Sequence, residues 1–337
     1  MRHFLLFVIL AWVFVAGCSG KTVPGTDPTP QVPGSAPVQP DQRPAEAADT
    51  KGVAPKRQEP EVYQAWPFDE AEAKRRQKET AQRLGTDVET ALDLGNGVKL
   101  ELVLIPAGKF MMGSPETEKE RLEDEVQHEV TLTKPYWIGK YEVTQEAYER
   151  VMGNNPSWFV GGRNPVEMVS WDNAQEFCQK LSRRTRREAR LPTEAEWEHA
   201  CRAGRSTPFH TGETISTAEA NYNGSYVYGS GAKGENRRNT MAVGSLASNA
   251  FGLYDMHGNV GEWCGDWFVE YAKGAQCDPP GAADGQLHVL RGGSWDVIPS
   301  YCRSACRYWG APGRRYKITG FRVVILAEKE TRPADIQ

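Results

Sequence analysis

Residues 4–17 form an unbroken apolar run behind Arg2, and residues 19–67 follow with no hydrophobic period at all. A run that short does not span a bilayer core, but it has the length of a signal-peptide hydrophobic region. Residues 69–84 turn charged and proline-free, with acids leading bases, which predicts a solvated helix. Periodic segments begin near Gly95. Lys99–Ile105 and residues 130–132 read as strands, with Gly113-Ser114-Pro115 marking a turn between them. Thr144 precedes a helical pattern over 145–152 that Gly153 closes, and Ser170 precedes another over 171–181. Thr193-Glu194-Ala195-Glu196 has the form of a capping box, and Gly204 is expected to end that helix in the left-handed region. Beyond Gly204 the periodicity fades. Residues 288–291 and 321–326 are the late strands, expected to pair with each other.

Composition sharpens this organisation. Ten of the 22 prolines fall within residues 19–67, among Gly, Ser, Thr, Ala and Gln. Such a stretch buries too little apolar surface to offset its ordering entropy and reads as an extended tether. The predicted divisions are a signal peptide over 1–18, the tether over 19–67, a charged helical segment over 68–94, a globular domain over 95–327 and a polar tail over 328–337. The apolar run ends in Val15-Ala16-Gly17-Cys18-Ser19, which resembles a bacterial lipobox whose cysteine is acylated. Ordinary signal cleavage, or a buried segment, is the alternative. Stable anchoring needs more than one acyl chain, each buried methylene contributing about 0.8 kcal/mol, and an acylated Cys18 supplies them. The expected partner of Cys18 is membrane lipid, and the expected location a bacterial membrane, facing periplasm or exterior. Net charge is −4, and basic residues cluster only at Arg183, Arg184, Arg186 and Arg187, which argues against nucleic acid as a partner. The 33 glycines and ten tryptophans predict a loop-rich body held by aromatic anchors.

Five strings occur in order: Lys-Tyr-Glu-Val-Thr (140–144), Arg-Leu-Pro-Thr-Glu-Ala-Glu-Trp-Glu (190–198), Gly-Leu-Tyr-Asp-Met-His-Gly-Asn-Val-Gly-Glu-Trp (252–263), Arg-Gly-Gly-Ser-Trp (291–295) and Gly-Phe-Arg (320–322). Together they resemble the formylglycine-generating, sulfatase-modifying-factor family, over residues 95–327. The resemblance implies an α+β, C-type-lectin-like domain, loop-rich and low in regular secondary structure. It also implies oxidation of a sulfatase cysteine to formylglycine, with a sulfatase or other protein as substrate.

The implied cofactors are calcium and copper. Calcium takes about 6–8 oxygens from carboxylates, amides and carbonyls. By resemblance its ligands fall on Asp255, Glu262 and the carbonyls of Gly258 and Val260. A second site, counted without gaps, lands on Asn221, Glu235 and the carbonyls of Tyr222 and Arg237, and is left open. Family enzymes hold copper(I) between two thiolates, which soft-ligand preference favours. Ser294 matches the active-site serine, and the first copper cysteine is expected three residues later, at Val297. The second ends a Ser-Tyr-Cys triplet matched by Ser300-Tyr301-Cys302, although counting back from Arg307 puts Pro299 there.

Exported cysteines normally pair, and with Cys18 acylated six remain, which allow fifteen connectivities. In the family, cysteines matching Cys178 and Cys201 bridge separately to the C-terminal part. Val323 stands where the partner of Cys178 is expected, while Cys201 has Cys302 or Cys306 in prospect. Cys302 and Cys306 could also form a replacement copper pair; disulfide bonding is the simpler expectation. Without two thiolates at the copper position, the sequence predicts a tethered binding or other modifying module. The alternative is an active formylglycine-generating oxidase.

Overall fold

The computed structural model describes residues 61–327; Cys18, the tether up to residue 60 and the tail from 328 lie outside the described residues. In chain order the strands are β1 (Glu89–Asp93), β2 (Lys99–Ile105), β3 (Gly108–Met112), β4 (His128–Leu132), β5 (Tyr136–Gly139) and β6 (Ala189–Arg190). They continue with β7 (Gly261–Trp267), β8 (Gln276–Cys277), β9 (His288–Arg291), β10 (Tyr308–Gly310), β11 (Thr319–Gly320) and β12 (Val324–Leu326). Three small sheets result, ordered β1-β2-β5-β12-β6, β10-β9-β7-β11 and β3-β4-β8. Many of these strands are only two to four residues long, so the α+β body is loop-rich, as expected.

The two late strands do not pair with each other. β12 lies between β5 and β6, with Val324 opposite Ile138 on one side and Arg190 on the other. β9 pairs with β7 and β10 in a different sheet. The reason is visible in β12 itself: Val324 and Ile325 are both fully buried, which suits an interior strand covered on both faces.

Helices α1 (Glu70–Leu84), α2 (Gln145–Met152), α3 (Trp171–Thr185) and α4 (Glu194–Arg202) start where capping residues place them. At α4, Glu196 N–H donates to Thr193 Oγ1 (3.1 Å) and Thr193 N–H donates to Glu196 Oε2 (2.8 Å). Ser170 and Asn173 make the same reciprocal pair at α3. The end of α4 differs from expectation. Ala203 takes the left-handed cap at φ 45°, and Gly204 follows, also left-handed, because the Phe68 ring packs so close that a Cβ there would lie 2.4 Å from it.

Phe68 belongs to a segment that the composition assigned to linker and solvated helix, and that assignment needs correcting. Tyr63 pairs with the backbone around Gly108, its N–H donating to Ala107 O (3.2 Å) and its carbonyl accepting from Lys109 N–H (2.9 Å). Trp66 packs edge-on against Phe110 at 5.9 Å, and Phe68 lies 6.0 Å from Phe251. Helix α1 buries Ala73, Arg76, Gln77, Thr80 and Ala81. Gln77 Nε2 donates to Leu104 O (3.0 Å) and to Phe251 O (2.9 Å), while the Arg76 guanidinium sits 4.0 Å from the Phe68 ring. The buried face is largely polar, so hydrophobic periodicity did not reveal it. The ordered body therefore includes residues 61–94 as well.

Removing the Gln77 amide leaves two buried carbonyls unsatisfied, each costing about 1–3 kcal/mol. Gln77→Ala is expected to lower unfolding stability by about 2–4 kcal/mol, whereas exposed Lys78→Ala should stay within about 0.5 kcal/mol. Denaturant melts of both variants check this, and a neutral Gln77→Ala would mean that α1 is not docked.

Candidate functional site

Strand β9 delivers Arg291 into the turn Gly292-Gly293-Ser294-Trp295, and the two glycines carry φ of 89° and 73°. A Cβ on Gly293 would meet Cys302 Sγ at 2.6 Å and Tyr301 O at 2.8 Å, so only glycine lets the two segments touch. Ser294 and Cys302 are thus brought together across Gly293, and Pro299 stands at the start of the 3-10 turn that ends in Cys302. Ser294 is buried, and its Oγ has no hydrogen-bond partner. Val297 packs against the apolar cluster of Phe209, Ile215, Ala220, Tyr222, Tyr228 and Cys302. At the position where the resemblance expects the first copper cysteine, this chain presents the methyl groups of Val297.

The Cys302 turn is pinned from behind by His257. Its Nδ1 donates to Cys302 O (2.7 Å), and its Nε2 accepts from His210 N–H (3.1 Å), which fixes the neutral tautomer. Burial holds the His257 pKa well below its usual range, in keeping with that tautomer. Cys201 lies alongside, its Sγ 3.6 Å from Ser304 Oγ and 3.7 Å from Met256 O. The expected bridge from Cys201 to Cys302 or Cys306 is not formed: Cys178, Cys201, Cys264, Cys277, Cys302 and Cys306 are all free thiols. Each except Cys277 is buried, and desolvation pushes Cys178, Cys201 and Cys306 up to about 12 and Cys302 upward as well. In the metal-free protein the neutral thiol is therefore the favoured form at each of these four positions.

A buried ionic lattice underlies the turn. Arg291, fully buried, pairs with Glu198 and donates to the carbonyls of Ser304 (2.7 Å), Ala305 (2.9 Å) and Cys306 (2.8 Å). Glu198 also accepts from Arg202 Nε (2.8 Å) and Gly113 N–H (2.9 Å). Arg303 binds Glu125 through both terminal nitrogens at 2.7 Å and reaches Glu118 at 2.6 Å, while Arg307 grips Glu194 at 2.6 and 2.8 Å. Residues 303–307 are fixed by these pairs. Sequence reasoning placed Arg291, Glu194 and Glu198 in the recognised strings without giving them this role; the signal was an arginine at the end of an apolar strand and two buried acids on one short helix.

The first calcium position gathers carboxylates. Glu262 is held by Arg322 at 2.6 Å to each oxygen and by Trp197 Nε1 at 2.8 Å. Asp255 accepts from Gly244 N–H (2.7 Å). Glu142, unassigned by sequence, accepts from Val260 N–H (3.0 Å) and Asn259 Nδ2 (2.7 Å). Burial first, then the charges of Asp255 and Glu262, push Glu142 well above the usual carboxylate range, and burial raises Asp255 to about 6. Three carboxylates face one guanidinium, a surplus that a divalent cation would balance. Among the described residues no three His, Cys, Asp or Glu side chains are disposed to hold a metal by themselves, so carbonyls such as those of Gly258 and Val260 would have to contribute.

The second position fits less well. Asn221 is buried with Oδ1 unpartnered, its Nδ2 donating to Asn239 O (3.0 Å) and Asn259 Oδ1 (3.1 Å). Glu235, however, is 70% exposed and pairs with Arg237 at 3.6 Å rather than joining Asn221. The neighbouring Asn236 carries a buried, unpartnered Oδ1. Tyr222 is buried in the apolar cluster, its hydroxyl donating to Ile215 O (3.0 Å), and the Arg237 side chain donates to Thr217 O (2.8 Å).

Residues 96–327 match the model of the sulfatase-modifying factor enzyme 1-like domain. The serine/threonine-protein kinase pkn1 of Chlamydia caviae is 30% identical over 253 residues, which are 66% of this chain but only 37% of that protein. A formylglycine-generating enzyme of Streptomyces coelicolor is 33% identical over 198 residues, covering 56% of this chain and 60% of the relative. Among solved structures, Treponema denticola variable protein 1 superimposes with a TM-score of 0.62 at 30% identity, over 72% of this chain and all of that one.

Proposed function

Since this chain belongs to the sulfatase-modifying factor enzyme 1-like family, we propose that it uses the family fold as a membrane-tethered binding module rather than as a copper-dependent cysteine oxidase. The observation that carries the reading is that Val297, where the resemblance expects the first copper cysteine, packs into the same apolar cluster as a fully buried Cys302. A linear pair needs two sulfurs, and methyl groups at Val297 offer none there. The oxidase reading has in its favour the juxtaposition of Ser294 and Cys302 at Gly293. It lacks a sulfur at Val297, so Cys306, a buried free thiol close enough to raise Cys302, would have to supply the second ligand. Anchoring through an acylated Cys18 supplies the tether, and the substrate or ligand would then meet the face around Ser294 and Trp295.

Calcium is proposed as a structural ion at Asp255 and Glu262 with the carbonyls of Gly258 and Val260. Its role would be to neutralise the surplus carboxylate charge beside Glu142 and hold the 255–262 turn. Glu235 is not proposed as a ligand.

Three outcomes are expected. Full-length protein titrated with copper(I) should show no tight site and no aldehyde formation on a Cys-x-Pro-x-Arg peptide; turnover abolished by Cys302→Ser would establish an oxidase instead. Chelation should lower the melting temperature and calcium should restore it, since a ligand at a hundredfold excess over Kd stabilises by about 2.7 kcal/mol. Asp255→Ala should remove that response, and identical melts with and without chelator would eliminate the calcium site. Mass spectrometry of the membrane fraction should find acyl groups on Cys18 at the mature N-terminus, and normal membrane fractionation of Cys18→Ser would refute the anchor.

A further inference from the structure

One face beside Ser294 and Trp295 combines exposed aromatic and basic side chains. Trp158 is 71% exposed, Val160 82% and Tyr316 41%. Arg314, Arg315 and Lys317 flank Tyr316 and are all exposed, so four consecutive residues present cation, cation, aromatic and cation to solvent.

The two loops that carry these groups are locked together. Phe159 N–H donates to Glu167 Oε1 (2.7 Å), Glu167 N–H donates to Ser157 Oγ (3.2 Å), and Met168 N–H donates to Tyr316 O (3.0 Å). The Phe159 ring meets Trp295 edge-on at 5.4 Å. Trp295 Nε1 donates to Lys317 O (3.1 Å), and the Lys317 ammonium sits 5.4 Å from the Trp295 ring. Trp158 and Val160 project from a backbone that turns the half-buried Phe159 inward against Trp295 between them, so their exposure is fixed by the fold.

We propose that this face docks an extended acidic segment of a protein partner, one carrying aromatic or aliphatic residues between its acids. The inference rests on the binding-module reading and names the partner class. Trp, Tyr and Arg dominate the residues that carry binding energy at protein interfaces, and preorganised loops reduce the ordering cost of association. The cations supply charge complementarity, which steers encounter and fixes register. A flat anionic bilayer fits less well. Exposed Asp296 follows Trp295 directly, and Asp172 lies beside Gly313, a Cβ on which would be 3.8 Å from its Oδ2. Lipid headgroups would press on both acids, whereas an extended chain can set its carboxylates on Arg314, Arg315 and Lys317 and pass them by.

The test uses the full chain with Cys18→Ser, kept in a non-ionic detergent because residues 4–17 are apolar, and a fluorescein-labelled random copolymer of glutamate and tyrosine as probe, read by anisotropy. Binding should weaken with added salt and fall about tenfold or more in Trp158→Ala and in the triple variant R314E/R315E/K317E. The matched reversal K78E/K233E/K273E, on exposed lysines elsewhere, should leave it unchanged. All variants should melt with the parent. No binding by the parent chain, or equal loss in both triple variants, would overturn the proposal. So would capture by phosphatidylglycerol vesicles that R314E/R315E/K317E abolishes while copolymer binding persists, since the face would then be a membrane contact. Aldehyde formation in the copper assay would remove the module reading and leave this titration interpretable.

Discussion

The fold depends on buried arginines that bond backbone carbonyls as well as carboxylates. A loop-rich interior leaves main-chain acceptors with no strand or helix to satisfy them, and an unpaired buried carbonyl is costly. Arg291 takes three such carbonyls from residues 304–306, Arg322 takes those of Gly139 and Tyr254, and Arg202 takes those of Gly113 and Thr207. Each arginine is neutralised by a buried glutamate: Glu198 serves two of them and Glu262 the third. Elsewhere a buried ion pair can be exchanged for apolar residues at little cost. Here the exchange would orphan the carbonyls too, so the arginines act as secondary structure for segments that have none.

That role explains what the sequence disclosed and what it concealed. Capped helices were legible, because Ser170 with Asn173 and Thr193 with Glu196 satisfy orphan N–H groups by local rules. The strands β2 and β9 were legible from apolar runs of the right length. Burial of polar side chains was not. Gln77 and Arg76 made α1 look solvated, and Glu142 sat in a recognised string without an assigned task. The Arg291–Glu198 pair joins residues 93 apart, a relation no local pattern encodes.

At the site, letters and geometry diverged in instructive ways. Ser294 and Cys302 were named from matching strings, and Gly293 brings them into contact. Glu235 was named by counting without gaps, yet its side chain faces solvent while the buried unpartnered oxygen belongs to Asn236. Cysteine count suggested disulfides because an even number in an exported chain usually pairs. The free thiols are instead small buried packing groups, Cys201 against Met256 and Ser304, and Cys302 against a glycine turn. What the family string secures is the turn itself, through the positive φ of Gly292 and Gly293.

The position of β12 bears on how such a chain reaches its native state. β5 and β6 are not neighbours in the sheet, and their facing edges are joined through residues 323–326. Until those residues arrive, two strand edges stay open to mispairing, a hazard that natural sheets otherwise avoid. Val324 meets Ile138 across 186 residues of sequence, so the closing step demands a contact of very long range, the kind that slows folding. The sheet behaves as a clasp whose pin comes later in the chain than both parts it joins: a chain stopped before residue 324 loses the union of β5 with β6 rather than a peripheral strand.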